Sequence, residues 1–110
     1  MNSTQMYRSI SPREARQMLC DKAIYTVIVD VRRSDEYRLE HIKGAINIPL
    51  GQLEDKIRDV VPDLQQEIIL YCRTGSRSME AANLLLSMGY KNVFDLGGIA
   101  DCRSEMDIVV

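Results

Sequence analysis

The chain has 110 residues, the size of one domain, and its 45% apolar content is enough to line a core. Fourteen basic and sixteen acidic residues give a net charge of -2, with no block of like charge, which argues against a nucleic-acid binder. No apolar run approaches the ~20 residues that cross a bilayer. The chain begins without an apolar stretch before a small-residue cleavage site, so a cytoplasmic protein with no membrane partner is expected. Three cysteines far apart imply no disulfide framework, and one histidine with no close cysteine pair argues against a metal site. An enzyme built from these residues would rest its chemistry on a thiol or on carboxylates, with no cofactor.

A strand is expected near Tyr7 to Ile10. Ser11-Pro12-Arg13-Glu14 then reads as a helix start. Ser11 can accept the N–H of Glu14, Glu14 can reach back to Ser11, and Pro12 suits the first helical position. Ala15, Met18 and Leu19 follow at helical spacing, and the helix is expected to stop between Cys20 and Lys22. Tyr25 to Val29 is almost wholly apolar and rich in β-branched residues, the pattern of a strand buried on both faces; it runs into Asp30, Val31 and Arg32. Ser34 to Tyr37 reads as a short helix capped by Ser34, and Ala45 to Ile48 as a short strand closed by Pro49. Gln52 to Val60 has a helical period ended by Pro62, and Glu67 to Tyr71 is a third buried strand. Arg77 to Met88 predicts a helix with Gly89 as a left-handed cap. Asn92 to Leu96 predicts a last strand, stopped by Gly97-Gly98. Strands alternating with helices argue for an α/β fold, a parallel sheet covered on both faces. Ligands in such sheets bind at the carboxyl ends of the strands.

One strand end carries chemistry. The third strand leads into Cys72-Arg73-Thr74-Gly75-Ser76-Arg77-Ser78, and a helix follows directly. Cys72 is expected just beyond the strand, with Gly75 free to take positive φ. A short turn here curls around a centre with its N–H groups pointing inward. The next helix adds unpaired N–H groups and the positive end of its dipole, and Arg73 and Arg77 add full charges. All of these favour an anion, so Cys72 is expected as a thiolate and a nucleophile that needs no histidine base.

Asp30-Val31-Arg32, Glu36-Tyr37, His41 to Leu50, the Cys72 to Ser78 loop and Leu96-Gly97-Gly98-Ile99 together resemble the rhodanese (thiosulfate sulfurtransferase) homology domain of the single-domain bacterial type. The resemblance covers the chain from about residue 10 to residue 99. It implies the rhodanese-like α/β fold, a five-stranded parallel sheet with helices on both faces. It implies one domain over residues 1–110, with a core at about 10–100 and a C-terminal tail at 101–110. By the same resemblance, Cys72 would take sulfur from a small anionic donor such as thiosulfate and carry it as a persulfide. A thiol, cyanide or a partner protein's persulfide chemistry would receive or supply that sulfur. Arg73, Thr74, Gly75, Ser76, Arg77 and Ser78 would bind the persulfide and the donor.

The alternatives are a non-catalytic rhodanese-like module that binds a protein or carries sulfur, and a small phosphatase or arsenate reductase. The phosphatase type places its arginine six positions after the cysteine. Here Ser78 stands there and the arginine is Arg77, so the loop is tighter and suits a single sulfur. Asp30 and Arg32 fall on the same rim as Cys72 and read as a bracing pair or as substrate-orienting groups. His41 reads as a structural hydrogen-bonding residue, and Cys20 as a packing or surface thiol. Cys102 follows the Gly-Gly turn and is a candidate resolving thiol for Cys72. Glu40 stands where the family often has glycine, and Cys102 lies near the place of a frequent tryptophan.

Overall fold

The computed structural model describes residues 6–110; residues 1–5 of the expected 1–110 domain lie outside the described residues. In chain order the elements are β1 (Arg8–Ser9), α1 (Pro12–Cys20), β2 (Thr26–Asp30), α2 (Ser34–Leu39), β3 (His41–Ile42), β4 (Ile46–Asn47), α3 (Leu50–Val60), β5 (Glu67–Cys72), α4 (Ser76–Ser87), β6 (Asn92–Gly98) and β7 (Ile108–Val109). A single 3-10 turn, Ile99–Cys102, follows β6. Five strands form one parallel sheet in the order β1-β6-β5-β2-β4, and β3 pairs with β7 in a separate antiparallel ribbon.

Local chemistry explains the boundaries. The Ser11 hydroxyl accepts from Glu14 N–H at 3.1 Å, and Glu14 Oε1 accepts from Ser11 N–H at 2.9 Å, so the capping box at α1 closes. Ser34 is the first residue of α2 rather than its cap; Glu36 Oε1 accepts from the N–H of the capping Arg33 at 3.0 Å. Gly89 takes φ +99° just past α4, as a left-handed terminator requires. Glu40 has φ -169°, ordinary extended backbone, so the missing glycine before His41 costs the bend nothing. The strand expected over residues 45–48 is Ile46–Asn47; Ile48 N–H makes the last ladder bond, to Asp30 O, and Pro49, which has no N–H, follows.

Alternation along the strands divides the interior into two cores. Val27, Val29, Ile68, Leu70, Cys72 and Val93 face α3 and α4. Ile28, Ile69, Tyr71, Phe94 and Leu96 face α1 and the chain's end. The segment after residue 100 is part of the second core. Cys102 is fully buried there, Met106 and Ile108 pack against it, and β7 pairs Val109 with His41 and Ile108 with Ile42. The core expected from the sequence ends at about residue 100; two-residue strands carry no periodicity to reveal such a ribbon.

All five sheet strands are parallel, so their carboxyl ends share one rim. There Asp30 pairs in register with Tyr71 and Asn47, and Cys72 with Gly98. No helix among the described residues is long and apolar enough to cross a membrane.

Candidate active site

The buried run Ile68-Ile69-Leu70-Tyr71 carries the chain to the rim, and Cys72 is the last residue of β5 rather than the first beyond it. Gly75, with φ +108°, then reverses the backbone and caps α4, which begins at Ser76. An L side chain would be strained in that conformation. The reversal brings Gly75 N–H to 2.9 Å from Cys72 Sγ. Cys72 Sγ donates to Ser78 Oγ at 3.5 Å, and Ser78 Oγ donates to Gly75 O at 3.0 Å. The helical ladder starts only with Met79 N–H to Gly75 O, so the first N–H groups of α4 have no carbonyl of a preceding turn to bond. Cys72 is fully buried at the base of this loop, while Arg73, Thr74 and Ser76 are exposed at its lip.

β6 supplies the floor. A β-bulge between the Leu70–Asp95 and Tyr71–Gly97 pairs leaves Leu96 without a partner across the ladder. Gly97 takes φ +90°, and its N–H is bound by Asp95 Oδ1 at 2.9 Å. A Cβ at Gly98 would stand 2.5 Å from Arg73 O and 3.2 Å from Thr74 Cα. The loop can lie on β6 only because residue 98 lacks a side chain. Gly97 and Gly98 therefore extend the strand under the loop instead of stopping it.

The two loop arginines part company. Arg73 is exposed, without an ion-pair partner among the described residues, and lines a cleft of about 480 Å³ with Arg33, Leu39, Ile99, Ala100 and Arg103. Arg77 does not present an uncompensated charge to the loop, as the sequence reading expects. Its Nη1 and Nη2 donate to Glu36 Oε1 and Oε2 at 2.8 and 3.2 Å, a fork-to-fork pair reaching across to α2. Those bonds hold the Glu36 carboxyl down at about 2.

Asp30 and Arg32 form a buried two-point ion pair. Arg32 Nε donates at 3.0 Å and Nη2 at 2.8 Å, the Arg32 N–H caps the same carboxylate at 2.9 Å, and Nη2 also reaches Glu40 O at 2.6 Å. Asn47 Nδ2 bridges the carbonyls of Asp30 and Arg32, both at 3.0 Å. Both Asp30 carboxylate oxygens and Arg32 Nε and Nη2 are bonded within the rim loops, the geometry of a brace. His41 stacks on Tyr37 with ring centroids 3.7 Å apart. Its Nδ1 sits 2.9 Å from Tyr37 O, and a carbonyl can only accept, so Nδ1 carries the proton.

Cys102 is not brought to the rim. It lies in the core on the opposite face of the sheet from Cys72, its thiol donates to Gly98 O at 3.4 Å, and burial followed by the Asp101 charge pushes it up to about 11. A thiol so placed is a poor exchanger, which removes the basis for a resolving role. Cys20 is exposed on α1. Glu36 and Gly98 are the residues whose roles escaped the sequence. Both stand inside family-like motifs, but a partner far along the chain and a close backbone approach leave no local signature.

Fold and site together define a parallel α/β domain that holds a thiol in a glycine-turned loop at a helix N-terminus. A family model described as the Rhodanese-like domain matches residues 11–105. The chain belongs to the rhodanese-like domain family and is a rhodanese-type enzyme, a sulfurtransferase. It is 41% identical over 73 residues to thiosulfate sulfurtransferase PspE of Escherichia coli K12, covering 66% of this chain and 70% of that protein. It is 33% identical over 93 residues to thiosulfate sulfurtransferase GlpE of Coxiella burnetii, covering 84% of this chain and 83% of that one. Among solved structures, a rhodanese with anions from E. coli superposes with a TM-score of 0.72 at 38% identity, over 76% of this chain and 96% of that chain. The rhodanese-like domain of Anabaena Alr3790 superposes at 0.81 with 26% identity, over 94% and 80%.

Proposed function

We propose that this protein moves a sulfane sulfur from thiosulfate or a related small anionic donor to a thiophilic acceptor, cyanide or a thiol, through a persulfide on Cys72. The observation that carries this reading is the Gly75 N–H aimed at Cys72 Sγ from 2.9 Å at the start of α4. A sulfur that accepts a hydrogen bond beside the positive end of a helix is stabilised as an anion.

In the first half-reaction the Cys72 thiolate attacks the donor's outer sulfur. A bond forms between the two sulfurs, the donor's own S–S bond breaks, and its electron pair leaves with sulfite. In the second, the acceptor's lone pair attacks the outer sulfur of the persulfide, and Cys72 departs as thiolate. With cyanide or a thiolate as acceptor no proton has to move; a thiol gives up its proton to water as it attacks. The N–H groups of Gly75, Ser76, Arg77 and Ser78 hold the negative outer sulfur, Thr74 and Ser76 flank its entry, and exposed Arg73 draws in the anionic donor. Asp30 and Arg32 keep the neighbouring rim loop in place. One domain suffices for this chemistry, and three free cysteines suit a reducing cytoplasm. A partner protein that delivers or receives the sulfur would meet the lip formed by Arg73 and Thr74.

The test is intact-mass spectrometry after thiosulfate treatment. Wild type should gain the mass of one sulfur, cyanide should strip it as thiocyanate, and Cys72→Ala should gain nothing. A wild-type protein that takes no sulfur from thiosulfate, a mercaptopyruvate-type donor or a protein persulfide would sink the proposal.

A further inference from the structure

The geometry points to Glu36 as a positioning residue that clamps Arg77 and offsets its charge, so that the site releases the anion it produces. This rests on the sulfur-transfer reading above. That reaction takes in one doubly charged anion and lets out another: thiosulfate enters, its S–S bond breaks, and sulfite leaves with the electron pair. Positive charge that attracts the donor retains the product equally well. A site with both loop arginines unopposed would load readily and empty slowly.

The rim is balanced accordingly. Arg32 is met by Asp30, Arg33 by Asp35 and Glu36, Arg103 by Glu40 and Arg77 by Glu36, which leaves Arg73 without a counter-charge among the described arginines of the cysteine loop and its cleft. Of these carboxylates, Glu36 alone pairs with an arginine of the cysteine loop. It is well fixed: its side chain is 11% exposed, one oxygen also accepts Arg33 N–H at 3.0 Å, and it stays ionised at any pH near neutral. The pair occupies two of the five guanidinium N–H groups, and Arg77 has no other acceptor among the described residues. Glu36 thus orients Arg77 while cancelling most of its pull. At protein-surface dielectric and moderate salt, one unit charge near a bound dianion is worth about five- to tenfold in affinity.

Glu36→Gln isolates the charge, because the amide oxygen still accepts the Arg33 N–H. Sulfite should inhibit this variant about five- to tenfold more tightly, the KM for thiosulfate should fall, and kcat should fall with it. These differences should shrink as salt is raised, and Glu36→Asp, which keeps the charge, should stay near wild type. A purely structural Glu36 predicts a raised KM, unchanged or weakened sulfite inhibition, and an Asp variant as impaired as Gln; that pattern would overturn the proposal. Sulfite binding to the resting proteins by calorimetry separates the two levels. It reads the charge effect even if no sulfur transfer occurs, and equal affinities for wild type and Glu36→Gln would overturn the role of Glu36 by themselves.

Discussion

Cys72 and Cys102 are both fully buried, yet their sulfurs have different surroundings. Cys72 accepts a hydrogen bond from Gly75 N–H and donates one to Ser78 Oγ, beside a helix N-terminus and Arg77. Cys102 donates one to Gly98 O, among the apolar side chains of Ile10, Ala15 and Ile99. Of the two, only Cys72 has an N–H donor aimed at its sulfur. Burial alone therefore says little about a cysteine's reactivity; the donors and charges around it decide. Gly98 stands between the two, its Cα under the loop of one and its carbonyl bound to the other.

The sharpest way to break this contrast is at that shared glycine. Gly98→Ala puts a methyl group against Arg73 O, which is backbone and cannot swing aside. We expect kcat/KM for sulfur transfer to fall on the order of 100-fold, since displacing a reacting group by about 1 Å costs that much. The steady-state assay reads it directly, and a variant within threefold of wild type would show that the close approach is dispensable.

The two sides of the sheet should also respond to opposite ends of the pH scale. Glu36 has its folded value lowered from 4.5 to about 2 by Arg77. Its contribution is present above about pH 4.5 and is lost as pH falls toward 2; the shift corresponds to about 3 kcal/mol. Arg77→Gln should flatten that acid limb in denaturant melts taken between those values. Cys102 is raised from 9.0 to about 11, so the fold prefers its neutral form, and its contribution is whole below pH 9 and fades as pH climbs to 11. Cys102→Ala should weaken that alkaline loss and cost about 1 kcal/mol in a melt at neutral pH, while leaving the sulfur-transfer rate unchanged. A slowed transfer rate in this variant would return Cys102 to the reaction. The smallest effect is expected at Tyr37, whose hydroxyl donates to Ala45 O at 2.6 Å; Tyr37→Phe should cost about 1 kcal/mol by thermal unfolding.

What could be read from the sequence was what short stretches determine by themselves. The capping box at Ser11, the β-branched run before Asp30 and the glycine-turned loop after Cys72 each express a preference of adjacent residues, and each formed. The misreadings share another cause. Arg77 meets a carboxylate on a helix far upstream, Cys102 is drawn into a core assembled from both ends of the chain, and β7 exists only because β3 lies beside it. Gly97 and Gly98 looked like a stop because glycine usually ends strands; a backbone crossing overhead made them a floor. Local propensity has no access to such pairings.

The position of that floor bears on how the protein is made. During synthesis Cys72 leaves the ribosome before β6, and until β6 docks beside β5 nothing supports the loop from below. Parallel strands joined by helical crossovers pair late, because the intervening chain must close first. Until β6 docks, the Cys72 thiol is uncradled and unburied, open to oxidation and to mispairing with Cys20. The loop gains its support only when Gly98 lies beneath Arg73 and Thr74.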